Sequence, residues 1–334
     1  MYPLKFKPIL KEVLWGGERI FSLKGLPADG RCVGESWEVS TVPAFVSVVE
    51  NGAWKGTALT ELIAREKGAI LGEKNYQKYG NNLPLLFKFI DTKDHCSVQV
   101  HPNDDLAQAR HASPGKTEIW YVIDAAPDAM LISGFSKEIS EEEYRRRVQE
   151  NTLEEVLVHH AVKSGDVFFI PAGRIHAIGR GLLVAEIQQN TDITYRVYDY
   201  GRKDAQGCSR TLHTEEAVAA LDFSVLSEDD LKQETAHIHA EHTELIDCEF
   251  FNVNLLNISE NTQKDYRSLD SFVVYMCVQG ACEIAPLNLP KGEDFKGEAV
   301  FLRQGESVLI PAVMGAFEIR PNAGADVKLL ECYV

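Results

Sequence analysis

SGDVFFIPAGRIHAI, residues 164–178, returns in altered form as QGESVLIPAVMGAFEI, residues 304–319. Each copy has a glycine and an acidic residue, an apolar run, Ile-Pro-Ala, a short turn and a second apolar run. Proline cannot donate to a sheet ladder, so it ends the first run, and the pattern predicts strand, turn, strand. Upstream lies a second matched pair, EIWYVIDAAPDAMLI (118–132) and SFVVYMCVQGACEI (271–284). The repeat is far longer than a solenoid unit and therefore reads as a duplicated β-domain. The copies part at one place. Where the first has Arg174-Ile175-His176, the second has Met314-Gly315-Ala316, so only the first can present an imidazole there.

Working outward, short strand-like runs bounded by Gly, Pro, Asn and Asp recur along the chain, among them SWEVSTV, FVSVVE, LLFKFID, LLVAEIQQ, ITYRVYDY and VKLLECYV. Helical periodicity is confined to residues 57–72, 140–157 and 214–222. Thr57 is expected to cap the first of these. Ser140 followed by Glu143 forms a capping box for the second. The polar stretch 227–244 is the expected junction of the two copies. With 334 residues, 45% apolar and 25% charged, the chain has the composition of a soluble globular protein that buries a real core. No apolar run is long enough to span a bilayer and no leader pattern opens the chain, so a cytoplasmic protein is expected, with its seven cysteines reduced and mostly buried. A net charge of −16 opposes attraction to nucleic acid or an anionic membrane. A phosphorylated substrate would need a local group of Lys and Arg to reverse that field.

The chemistry is carried by SVQVHP, residues 97–102. Alternation puts Ser97, Gln99 and His101 on one strand face. In a small β-barrel, strand ends from several places meet at the mouth, which makes Gln99, His101, Glu118 and His176 candidates for one cluster. Two imidazoles with two oxygen donors suit a divalent ion such as zinc, and the absence of thiolates favours an open catalytic site. HIHAEH, with His237, His239 and His242 near Glu241 and Glu244, is a competing cluster, but it lies in the polar junction without a scaffold. Lys116 shares a face with Glu118. Lys88 stands in an otherwise apolar strand and needs a partner or a solvated cavity. Arg196 and Arg202 follow Glu186 and Asp192, and together these cations meet the local-field condition.

With KFKPILKEVLWGG, GESWEVS, LPLLFKFID, SVQVHPND, GKTEIWYVID, GDVFFIPAGRIHAIG and EIQQNTDITYRVYDYGR in this order, the chain resembles the type I phosphomannose isomerases in their short bacterial form. That resemblance implies a mainly β fold of two cupin (double-stranded β-helix) barrels with a small helical insertion. Residues 1–230 would form the catalytic domain and 245–334 a degenerate second barrel. It implies one zinc ion held by Gln99, His101, Glu118 and His176, and interconversion of mannose 6-phosphate and fructose 6-phosphate through a cis-enediol. Arg196, Lys116 and Glu186 would be catalytic, and Ser97, Lys88, Arg202 and Asp192 would contact substrate. The partner is then a small hexose 6-phosphate, without nucleic acid or membrane, in a monomer or homodimer. The helical segment is shorter than in larger members, so their lid contacts do not carry over. A silent sugar-phosphate sensor and a metal-dependent oxygenase are the alternatives.

Overall fold

The computed structural model describes residues 1–203, 206–225, 232–234, 239–287, 299–322, 324 and 326–334. The first half contains strands β1 Ile9–Gly17, β2 Val33–Val39, β3 Leu85–Thr92, β4 Val98–Val100, β5 Glu118–Ala125, β6 Met130–Phe135, β7 Leu157–Ala161, β8 Asp166–Ile170, β9 His176–Ile178, β10 Leu182–Gln189, β11 Tyr195–Tyr198 and β12 Gln233–Glu234. The second half contains β13 His242–Asp247, β14 Asn252–Ile258, β15 Thr262–Asp265, β16 Val273–Gln279, β17 Ala281–Pro286, β18 Val300–Arg303, β19 Ser307–Ile310, β20 Ala316–Pro321 and β21 Val327–Tyr333.

These strands form four antiparallel sheets, and their order carries the duplication. The run β3-β10-β5-β8 in the first half corresponds to β14-β21-β16-β19 in the second, and β4-β9-β6-β7 corresponds to β15-β20-β17-β18. Each half is thus the same pair of facing sheets, the architecture of a cupin barrel. β10 is buried along its whole length because it is central in the larger sheet and covered on both faces. The first half adds β1 and β2 to its larger sheet, a widening that later proves to matter for the cleft.

The halves pack through one continuous apolar cluster that includes Leu4, Phe87, Phe89, Phe251, Phe272, Val274 and Leu330. The N-terminal chain crosses to the far half, where Leu4 and Leu309 exchange backbone hydrogen bonds of 2.8 and 3.0 Å. Pairing belonging to the first half continues to Gln233–Glu234 on β8, and the second half begins pairing at His242.

Local signals gave way where this packing demanded it. The helix expected over 57–72 is two helices, Leu59–Glu66 and Gly68–Leu71, broken at Lys67, which has φ 55°. The break turns Ile70 and Leu71 into the core between the halves, where both are fully buried, and the Leu71 carbonyl accepts from Phe272 N–H at 3.2 Å. Ala58 rather than Thr57 occupies the cap position, without a side-chain cap. Ser140, by contrast, accepts from Glu143 N–H at 3.1 Å and starts the helix Glu141–Glu150 as expected. FVSVVE is not a strand: Val48 and Val49 make only isolated bridges, in a segment that folds back so that Ser47 N–H reaches the Ser40 carbonyl. Among the described residues no helix is long and apolar enough to cross a membrane. All seven cysteines are free thiols, and two of them, Cys32 and Cys208, are exposed rather than buried.

One glycine holds β9 in place. A Cβ on Gly179 would stand 1.7 Å from the Met130 carbonyl oxygen, a backbone atom that cannot swing away. Gly179→Ala is therefore expected to lower stability by about 2 kcal/mol or more and to displace the adjoining strand. Chemical denaturation of the variant beside the parent measures this, and an unchanged midpoint would contradict it.

Candidate metal and substrate site

Three strands and one strand end bring the proposed ligands together. Gln99 on β4 pairs directly with His176 on β9, Glu118 opens β5, and His101 lies just past β4. His101, Glu118 and His176 are buried, with one ligand atom from each lying within 4.8 Å of the others. His176 Nε2 is 3.3 Å from Glu118 Oε1, and His101 Nε2 is 3.8 Å from the same oxygen. Each imidazole has its other nitrogen committed: His101 Nδ1 to the Ile193 carbonyl at 2.9 Å, and His176 Nδ1 to the Arg174 carbonyl at 2.8 Å. A carbonyl only accepts, so both Nδ1 atoms carry the proton and both Nε2 lone pairs face the carboxylate, the tautomer a metal ligand requires. Burial, followed by the Lys116 charge, holds His101 well below the ordinary histidine range and His176 at about 3, so both rings are neutral.

The donor set fits a divalent ion. Both Glu118 oxygens are buried, and while Lys116 Nζ stands 2.6 Å from Oε2, Oε1 accepts no hydrogen bond from a described residue. Burial, the largest influence, pushes the Glu118 carboxyl above its usual range against the opposing Lys116 charge, so a cation bound here would further stabilise the ionised form. The Gln99 amide stands 3.2 Å from His176 Nε2, and a flip of that amide brings its oxygen to the same place. Among the described residues, this is the group of His, Cys and acidic side chains close enough to hold a metal. In the competing HIHAEH segment, His237 lies outside the described residues, His239 is exposed, and His242 is half exposed and 4.0 Å from Glu331.

A ring of charge surrounds the ligands. Lys116 Nζ is 2.6 Å from Glu118 Oε2, 3.1 Å from His101 Nε2 and 3.9 Å from Glu186 Oε1. Lys88 Nζ is 3.0 Å from Glu186 Oε1, and Trp120 Nε1–H donates to Glu186 Oε2 at 2.9 Å. Burial opposes the charge on Glu186, but Lys88 and Lys116 outweigh it and hold the carboxyl far below the usual range. Burial likewise opposes the charge on Lys88, yet Glu186, Glu35 and Asp192 hold its pKa above the ordinary lysine value. The lysine that looked misplaced in LLFKFID thus has its partner on the next strand, since Lys88 and Glu186 are register neighbours across β3 and β10.

Above this floor opens a cleft of about 350 Å³, lined by Ser97, Gln99, Lys88, Lys116, Glu186, Asp192 and Arg196 among others. That size suits a small polar metabolite. Arg196 is the register neighbour of Gln99, and its Nε–H donates to Ser97 Oγ at 3.3 Å. Arg202 is not among the cleft-lining residues. Its guanidinium is held by Asp199, by Asp94 and by the His95 carbonyl, whereas Arg210 does line the cleft. Sequence reasoning also passed over Lys11, Trp15 and Glu35, which reach the cleft from β1 and β2. Their alternation in ILKEVLWGG marked a strand face, but nothing local says which sheet receives it.

The second half preserves the frame without the chemistry. Glu331 on β21 faces Asn254 of β14 and Tyr275 of β16, as Glu186 on β10 faces Lys88 of β3 and Trp120 of β5. Asn254 Nδ2–H and Tyr275 O–H donate to Glu331 at 3.0 Å each, and Lys264 Nζ lies 2.8 Å away, so hydroxyls and an amine fill the space. The residue in the place of Glu118 is Val273, since each pairs with the isoleucine that precedes the Ile-Pro-Ala proline.

Comparison with known proteins agrees with this picture. The family profile "Phosphomannose isomerase type I, catalytic domain" matches residues 4–126. The mannose-6-phosphate isomerase ManA of Bacillus subtilis is 34% identical over 333 residues, spanning 98% of this chain and 99% of that protein. A mannose-6-phosphate isomerase of Streptococcus mutans is 40% identical over 223 residues, 66% of this chain and 67% of the relative. The crystal structure of the mannose 6-phosphate isomerase from Bacillus subtilis superposes with a TM-score of 0.83 at 28% identity, covering 100% of both chains. The apo form of the Salmonella typhimurium enzyme superposes at 0.74 with 16% identity, covering 100% of this chain and 99% of that one, and speaks for the fold alone. Full-length similarity to ManA, one barrel with a His, Glu, His cluster and a second barrel that has lost it together place this chain in the type I phosphomannose isomerase family.

Proposed function

We propose that the protein is a zinc-dependent aldose-ketose isomerase that interconverts mannose 6-phosphate and fructose 6-phosphate through a cis-enediol. In this reading residues 1–230 carry catalysis and 245–334 serve as the structural partner. The observation that carries it is the stacking of two layers: a buried His101, Glu118, His176 group beside Gln99, and directly against it an ionised Glu186 between two lysines at the floor of a cleft.

Gln99, His101, Glu118 and His176 would hold the ion. Zinc, when bound, would supply a Lewis acid for the carbonyl end of the sugar and counter-charge for the enediolate. A neutral Gln99 beside a single carboxylate leaves that place net positive, which suits a developing anion.

Moving hydrogen between C2 and C1 needs a base on the same face as both carbons. Glu186 is a carboxylate at neutral pH, takes the C2 proton and returns it to C1, while the proton between O1 and O2 moves to complete the exchange. Lys88 and Lys116 keep Glu186 ionised, and Trp120 fixes its second oxygen. Lys116 and Arg196 face the negative charge that develops on the sugar oxygens. Ser97 positions Arg196, and Asp192 lines the wall beside Lys88.

The test is a coupled assay of fructose 6-phosphate formation from mannose 6-phosphate, with and without chelator. Turnover is expected in the untreated protein, loss of at least about 100-fold after chelation, and recovery with added zinc. Turnover indifferent to chelation, or phosphate-sugar binding without turnover, would remove the reading.

A further inference from the structure

We infer that Lys11 anchors the substrate phosphate and so makes this site select a phosphorylated sugar. The inference rests on the isomerase reading for the identity of the sugar, whereas its own observations are charge balance and position. Among the described residues five cations line the cleft: Lys11, Lys88, Lys116, Arg196 and Arg210. Lys88 is offset by Glu186 at 3.0 Å and Glu35 at 3.7 Å, and Lys116 by Glu118 at 2.6 Å. Arg210 is offset by Asp199, which it meets at 2.5 and 2.8 Å. Among the described residues Arg196 has no carboxylate within ion-pair distance but is bound to Ser97 Oγ and the Thr211 carbonyl, beside Gln99, and so belongs to the reacting end.

Lys11 is different. Among the described residues it has no carboxylate within ion-pair distance, and its ammonium rests 3.3 Å from the Phe45 ring centroid and 4.6 Å from that of Trp37. Aromatic faces orient a cation without cancelling its charge, and Glu35, the register neighbour of Lys11 on β2, is engaged by Trp37 Nε1–H at 2.6 Å and by Lys88 at 3.7 Å, so Lys11 retains charge for an incoming anion. In a chain of net charge −16, that is the local reversal of field a phosphate needs.

Position agrees with charge. In the sheet order β1-β2-β3-β10-β5, Lys11 on β1 is three strands from β10 and in register with Val184, two residues from Glu186, a backbone separation of about 16 Å in a flat sheet and less in a curved one. Lys11, Val13 and Trp15 alternate onto the cleft face of β1. A hexose 6-phosphate has its reacting carbons at one end and its phosphate at the other. With C1 and C2 at Glu186 and Gln99, the phosphate points away from the metal ligands, toward the wall that β1 supplies.

The experiment compares Lys11→Gln, Lys11→Arg and Arg210→Gln, each checked for folding by circular dichroism. The readouts are KM and kcat for mannose 6-phosphate, and calorimetric titration with inorganic phosphate. Lys11→Gln is expected to raise KM and weaken phosphate binding by about tenfold or more, the loss of one charge-assisted contact, with kcat kept within about threefold. Lys11→Arg should restore most of both. Unchanged KM and phosphate affinity in Lys11→Gln, or a loss found only in Arg210→Gln, would overturn the assignment. A parent protein that turns over no mannose 6-phosphate would end the isomerase reading instead, and the phosphate titration would still decide the role of Lys11.

Discussion

Replacing His176 by alanine is expected to abolish stoichiometric metal binding and to lower turnover by about 10³-fold or more, in a protein that remains folded. The imidazole is fully buried, its Nε2 faces Glu118 Oε1 at 3.3 Å, and its Nδ1 is tied to the Arg174 carbonyl. Removing it leaves one histidine, a carboxylate and an amide, a set too poor in nitrogen to retain zinc against dilution. Loss of the ion would remove the proposed Lewis acid, a contribution of several kcal/mol, and about 4 kcal/mol corresponds to 10³ in rate. The cavity left beside Trp120, whose ring stands edge-on to the imidazole at 5.3 Å, lowers the melting temperature without unfolding the barrel. Metal analysis after gel filtration, circular dichroism and the coupled assay read these effects separately. Full metal content with normal rates would discard the proposed ligand set.

Glu186→Gln is expected to lower kcat by roughly 10²–10⁴-fold while metal content stays that of the parent. The amide preserves shape and the bond from Trp120, but it cannot accept the C2 proton. It also strands charge: Lys88 keeps Glu35, at 3.7 Å, and the more distant Asp192, and Lys116 keeps Glu118. Leaving a buried ammonium under-compensated costs about 3 kcal/mol, so the melting temperature should fall as well. Adding Lys88→Met separates the two effects. The double variant should regain stability and remain inactive, because apolar replacement of a buried pair is tolerated by the fold but restores no base. A Glu186→Gln protein that turns over at the parent rate would transfer the proton to another group.

Much of the fold was legible because its signals are local. The Ile-Pro-Ala repeat, the β-branched and aromatic run in EIWYVID and the apolar start of LLVAEIQQ each report strand character within a few residues, since residue type and the turn residues that bound a run are read locally. The capping box at Ser140 is local in the same sense and was found. The helix over 57–72 failed at Lys67 because burial of Ile70 and Leu71 between the halves outweighs helical continuity, and that contact involves Phe272, some two hundred residues away in the chain. The exposed Cys32 and Cys208 show the same limit, since residue type states a preference and surroundings decide exposure.

The site divides in the same way. By itself the sequence determined that one copy of a duplicated β-domain carries two histidines, a glutamate and a glutamine at strand ends and that the other copy does not, because ligand identity is written in residue type and strand-face membership in parity. Only the tertiary structure decided which cations line the cleft. Asp199, Asp94 and the His95 carbonyl draw Arg202 aside, Arg210 comes to the cleft instead, and two extra strands carry Lys11 and Trp15 to its far wall. Those outcomes depend on which strand lies beside which. Such pairing is a sum of contacts between residues far apart in the chain, and no short window of sequence contains it.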